Sequence, residues 1–138
     1  MIQNATFAQL EKRDGLTERK ISCRNLRTPL WRWYLRVCRM PIENLSIEDI
    51  CRSARQRMYP EHIVPLALLR LKAEPNAGEL YDGELANALT NVGPEYWTTH
   101  ADELSQFLAI AESDLLSRGD ETHAPIQNFV QKWRFSAQ

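Results

Sequence analysis

Between Ala73 and Ser117 the chain has no lysine or arginine, although nine Asp and Glu fall in the same stretch. From Arg19 to Arg39 the reverse holds, with seven bases and no acid. Cysteine is also scarce: Cys23, Cys38 and Cys51 are odd in number, widely spaced and without a CxxC pair. That argues against a disulfide framework or a zinc site and fits free thiols in a reducing compartment. The opening residues, MIQNATFAQLEKRD, place no basic leader ahead of an apolar run, so no secretory signal is expected. The longest apolar stretch, Ile63 to Leu71, is about half the roughly 18 residues that a membrane span needs and contains Pro65. The expected location is therefore the cytoplasm, with no membrane partner. Glycine is sparse, at five residues, and no stretch reads as a flexible linker.

Enough apolar material is present to build a core. Of 138 residues 43% are hydrophobic, and four are Trp, which excludes wholesale disorder. The length suits one domain spanning residues 1–138. Net charge is −1, but residues 1–70 carry thirteen bases against seven acids and residues 71–138 four against eleven. Charge sorted in this way bears on partners rather than on fold.

The patterning is helical throughout. Thr28-Pro29 is an N-cap with proline at the first helical position, and Leu30, Trp33, Tyr34, Val37 and Cys38 follow at helical spacing. Ser46 and Asp49 read as a capping box, with Leu45 and Ile50 placed as a hydrophobic staple. Glu61 to Lys72 is apolar on nearly every face, as a buried central helix would be. Asp82 is the expected cap of a helix carrying Leu85, Leu89 and Val92, which Gly93-Pro94 stops. Thr99 should open the longest helix, through Leu104, Phe107, Leu108, Ala111 and Leu115 to Gly119. Pro125 should begin a last one with Phe129, Val130 and Trp133, and a short first one fits around Phe7 and Leu10. The expectation is an all-α, compact single-domain bundle of five to seven helices.

Signatures of chemistry are missing. There is no glycine-rich phosphate loop, HExxH, GxSxG or Cys/His cluster, and His62, His100 and His123 lie far apart. No catalytic residue, metal, cofactor or small-molecule substrate is expected. Among the acids, Asp82 and Glu84 occupy one helix start and Asp102 and Glu103 another, where each gains roughly 0.3–1 kcal/mol from the helix dipole. Glu74, Glu79, Glu112 and Asp114 have no such account, and an acidic face meeting a basic partner is the better reading. On the basic side, Arg32, Arg36 and Arg39 fall at i, i+4 and i+7. They suggest a nucleic-acid module using the segment 19–39, with Arg24 and Arg27. A pI near 6.3 disfavours it.

Three stretches, RMPIENLSIEDICR, HIVPLALLRLKAEPNAGELYDGELANAL and PEYWTTHADEL, occur in an order and spacing that carry a resemblance. Together they cover roughly residues 36 to 112, from Pro41-Ile42 through Arg52, Ile63 to Leu68, Pro75 through Leu85 and Glu95-Tyr96-Trp97. They resemble the helical immunity proteins of bacterial contact-dependent growth inhibition (CDI) systems. Two loop positions depart from the pattern: Glu84 stands where the family has Asp, and Asp82 where it has proline. The arginine-rich stretch before Arg39 and the tail from Ser117 lie outside the match. The resemblance implies an antidote, not an enzyme. It would bind the C-terminal toxin domain of a delivered effector in a 1:1 complex and cover its active site or substrate surface. Many such toxins are nucleases cutting RNA, and an acidic face would imitate their polyanionic substrate. The candidate toxin-binding residues are Glu74, Glu79, Asp82 and Glu84 with Tyr81 as aromatic anchor, then Trp97, Asp102 and Glu103.

Overall fold

The computed structural model describes residues 5–14, 29–115 and 124–136. All regular structure in them is helical: eight α-helices, one 3₁₀ turn, one π turn and no strand among the described residues. The chain divides into two compact units, Met1–Leu45 and Ser46–Gln138.

In the first unit, helix α1 (Phe7–Arg13) opens with a full capping box. The Gln9 backbone N–H donates to the Thr6 hydroxyl and the Thr6 N–H to the Gln9 side chain, each at 3.1 Å. Helix α2 (Pro29–Val37) begins at proline, as its sequence predicts, while Thr28 lies outside the described residues. Two backbone bonds tie these pieces, Ala8 N–H to the Cys38 carbonyl and Ile42 N–H to the Ala5 carbonyl, both 2.9 Å. Phe7 and Trp31 stack on Tyr34, and the Tyr34 hydroxyl donates to the buried carboxylate of Glu11. The buried stripe differs from the expected one. Trp31 is inside and Leu30 outside, because the aromatic pair Trp31–Tyr34 at i and i+3 claims the face that Leu30 was to share.

The second unit contains α3 (Ile47–Arg55), α4 (Pro60–Ala73), α5 (Glu84–Leu89), α6 (Pro94–Thr99), α7 (Ala101–Ile110) and α8 (Ala124–Ser136). Ser46 caps α3, its hydroxyl accepting from Asp49 N–H at 3.1 Å, and Leu45 and Ile50 are both buried. Helix α3 ends in a Schellman pattern, with Met58 N–H on the Ser53 carbonyl and Arg57 N–H on that of Ala54. Arg57 occupies the left-handed position usually given to glycine, with φ 55°. Helix α4 begins at Pro60 after a left-handed Tyr59 and tolerates Pro65 in its second turn. Its neighbours α3, α5 and α7 cover Ile63, Val64, Ala67 and Leu71, all fully buried. An aromatic cluster of Trp97, Phe107 and Phe129, with ring centroids 5.2–5.7 Å apart, joins α6, α7 and α8.

The count of eight exceeds the expected range because PEYWTT forms a helix of its own. His100 (φ −127°, ψ 59°) breaks the chain there, so α7 starts at Ala101 rather than Thr99. Among the described residues the longest α-helix is α4, whereas α7 gives way after Ile110 to a π turn at Ala111–Leu115. Gly119 lies outside the described residues. No helix among the described residues is long and apolar enough to cross a membrane.

Candidate functional site

Residues 74–83 link α4 to α5 without regular structure, so their backbone groups must find partners individually. The chain turns back on itself through Ala77 N–H to the Glu74 carbonyl, Gly83 N–H to that of Asn76 and Leu85 N–H to that of Ala77, at 2.9–3.0 Å. At the centre is Glu84. It is 0% exposed, and its Oε1 accepts from the N–H groups of Glu79 and Leu80 at 3.0 and 3.1 Å. Its Oε2 lies 3.6 Å from the Arg55 guanidinium of α3. One carboxylate therefore ties the loop tip both to the start of α5 and to α3.

Two glycines make this geometry possible. Gly83 takes φ 86° as N-cap of α5, a conformation an L side chain rarely adopts. At Gly78 a Cβ would stand 2.1 Å from the Tyr81 carbonyl oxygen and 2.7 Å from Glu84 Cβ. The expected cap, Asp82, is displaced by one residue. Gly83 is the N-cap and makes no side-chain bond, and the acid that closes the turn is Glu84 acting backwards on the loop.

The loop has a second brace. Glu79 Oε2 accepts from the Glu48 N–H at 3.1 Å, which sets a carboxylate on the first turn of α3. Tyr81 is held by its own hydroxyl, which accepts from the Asn87 side-chain amide at 3.3 Å. What remains outward is a fixed tip: Leu80 is 69% exposed, Tyr81 46%, and Asp82 is exposed beside them. Glu74 is exposed where α4 ends.

The other candidates lie apart from the loop in sequence. Trp97 is 1% exposed and stacks on Phe107, so it supports a surface and does not form one. Glu103 accepts the Tyr96 hydroxyl proton, and the His100 ring stacks 3.9 Å over Tyr96. Burial, then the neighbouring Glu103 carboxylate, pushes the Tyr96 phenol well above its ordinary range. Asp102 is exposed in the first turn of α7. Glu112 is in a bidentate pair with Arg134 of α8 at 2.7 Å, which holds its carboxyl below the usual range. Burial and the nearby Glu84 charge push the Cys51 thiol up to about 12. No group of three or more His, Cys, Asp or Glu among the described residues could hold a metal ion.

Sequence reasoning did not single out Gly78, Leu80, Arg55 or Asn87. Gly78 and Gly83, bracketing four residues in a glycine-poor chain, were the available signal. Nothing in the spacing announces that Arg55 reaches Glu84.

A family model described as CDI immunity proteins matches residues 16–107, about two thirds of the chain, and spans the whole loop and both its braces. The chain belongs to the CDI immunity proteins. A comparison with the curated proteins finds no match. Membership makes the chain a toxin-neutralising immunity protein with a cognate toxin as partner, in a family of inhibitors rather than enzymes. In this chain the acid after the loop glycine, Glu84, is an internal strut.

Proposed function

We propose that this immunity protein neutralises its toxin with the 74–83 loop, and that the toxin is a cytoplasmic nuclease whose cationic substrate surface the loop covers. The observation that carries this reading is the braced tip. Leu80 and Tyr81 are large apolar side chains held outward on a backbone with its own hydrogen-bond network. A pre-ordered loop spends little entropy on docking, and an exposed Tyr beside acids suits a hot spot facing Lys and Arg. Glu74, Asp82 and Asp102 supply the outward charge. Glu79 divides its charge between the α3 N-terminus and the surface. Glu84 and Trp97 act from beneath, by holding shape.

The test is co-expression with the cognate toxin domain, followed by affinity measurement. Tyr81→Ala should cost about 2 kcal/mol or more of binding while folding stability stays within about 0.5 kcal/mol. Glu74→Lys with Asp82→Lys should slow association and make it less sensitive to salt. Unchanged affinity in both variants would remove the loop from the interface.

A second reading has one observation of its own. Arg32, Leu35, Arg36 and Arg39 are all exposed on one face of α2 and its end, whereas Arg24 and Arg27 lie outside the described residues. Affinity for a short RNA that falls steeply with salt, and is lost on Arg32→Gln and Arg39→Gln, would favour it.

A further inference from the structure

Among the described residues five large apolar side chains are exposed: Leu30, Leu35, Leu69, Leu80 and Tyr81. Their charged neighbours divide them. No acid lies within four positions of Leu30, Leu35 or Leu69, whereas Leu80 and Tyr81 sit at the loop tip with Glu79 and Asp82 beside them. Leu35 is the most closely framed by bases. On α2 it has Arg32 three positions before it and Arg39 four after, in the turn that ends the helix. All three are exposed, and that spacing sets them on one face.

Neither of these two surfaces is satisfied within the chain. The side chains of Arg32 and Arg39 make no ion pair or hydrogen bond among the described residues, and neither do those of Glu74 and Asp82. Leu35 is left 50% exposed. The aromatic residues of α2, Trp31, Trp33 and Tyr34, are all buried, so its basic face presents an aliphatic side chain between cations and no ring. Such a face is a poor platform for nucleic acid, whose bases stack on exposed rings. It suits a protein surface that carries carboxylates around an apolar centre.

We propose that the basic face of α2 docks the 74–83 tip of a second copy of this chain. Leu35 meets Leu80 and Tyr81, while Arg32 and Arg39 meet Glu74 and Asp82, and the exposed Tyr81 ring offers its face to a guanidinium. Among the described residues the tip is the one exposed apolar feature flanked by unpaired acids, and it is present at the same concentration as the face it fits. Both sides are ordered before they meet, one as a helix and the other as a hydrogen-bonded loop, so docking has only side chains to order. The contact joins two different surfaces and is therefore heterologous. Its small extent places it among weak, transient interfaces. The inference rests on exposure and charge and does not need the tip to meet a toxin.

The experiment is analytical ultracentrifugation of the full chain alone, across a concentration series. The average mass should rise with a Kd on the order of 100 µM, and the rise should weaken severalfold between about 0.05 and 0.5 M salt. Arg32→Glu with Arg39→Glu in one chain, and Glu74→Lys with Asp82→Lys in another, all at exposed positions, should each abolish association, with unchanged circular dichroism certifying the fold. An equimolar mixture of the two variants should associate again, because each reversed surface then meets its opposite on the other chain. The proposal is overturned if the parent stays monomeric at about 1 mM, if either variant associates like the parent, or if the mixture stays apart. A short oligouridylate should leave the association unchanged; displacement of the second copy by it, lost in the arginine variant, would assign the face to RNA instead. Toxin affinity is read separately on the arginine variant, whose tip is unaltered, so either reading can fail while the other stands.

Discussion

The acids of the α4–α5 loop and those at the start of α7 look alike in sequence, yet the structure uses them differently. Where the loop enters α5, Glu84 is fully buried and its partners are backbone N–H groups of the loop and Arg55. At α7, Glu103 is half-buried and its partner is the Tyr96 hydroxyl, while Asp102 remains on the surface. A carboxylate that satisfies main-chain donors determines where the chain runs; one that meets a single phenol determines only how a side chain is turned. The lesson is that a cluster of acids is not one feature. It separates into struts and surface, and only the surface is available to a toxin.

The sharpest way to break this comparison is Glu84→Ala. It strips two N–H groups and leaves Arg55 beside an empty site, and it should cost about 3–5 kcal/mol in urea unfolding. A loss below about 1 kcal/mol would mean that the loop holds itself. The same strut can be probed by pH through Cys51. Its thiol titrates at 9.0 when unperturbed and at about 12 in the fold. Between those values the unfolded chain releases a proton that the folded chain keeps, so stability falls as pH rises, by up to about 1.4 kcal/mol per pH unit. Below pH 9 the group contributes no slope. Comparing Cys51→Ala with the parent across this window isolates the effect, and identical profiles would refute the burial argument. The smallest effect belongs to Glu103→Ala, which removes one hydrogen bond and should cost about 1 kcal/mol. A cost equal to that of Glu84→Ala would erase the distinction between the two regions.

Much of the fold was legible because local chemistry decides it. Ser46 with Asp49 caps α3 as expected, and Pro29 begins α2. Helix α6 was hidden because six residues give no periodicity to read. The misplacement of the Asp82 cap has a comparable cause. A side chain next to a helix start can cap it or point away, and here Gly83 takes the left-handed turn alone. The acidic loop was legible as a region but not residue by residue. Glu84 and Asp82 are two positions apart, and their different fates depend on Arg55, which is brought near only by the packing of α3 against α5. Glu112, unexplained by position in its helix, is accounted for by Arg134 across 22 residues.

Arg57 ends α3 where glycine would sit without strain. A side chain in that left-handed position gives up about 1 kcal/mol of folding free energy relative to glycine. Stability alone would therefore favour glycine there. Glycine at 57 would keep the Schellman turn, whose bonds are made by backbone alone, but would remove the guanidinium that donates to the Asn91 carbonyl and so ties the end of α3 to the connection after α5.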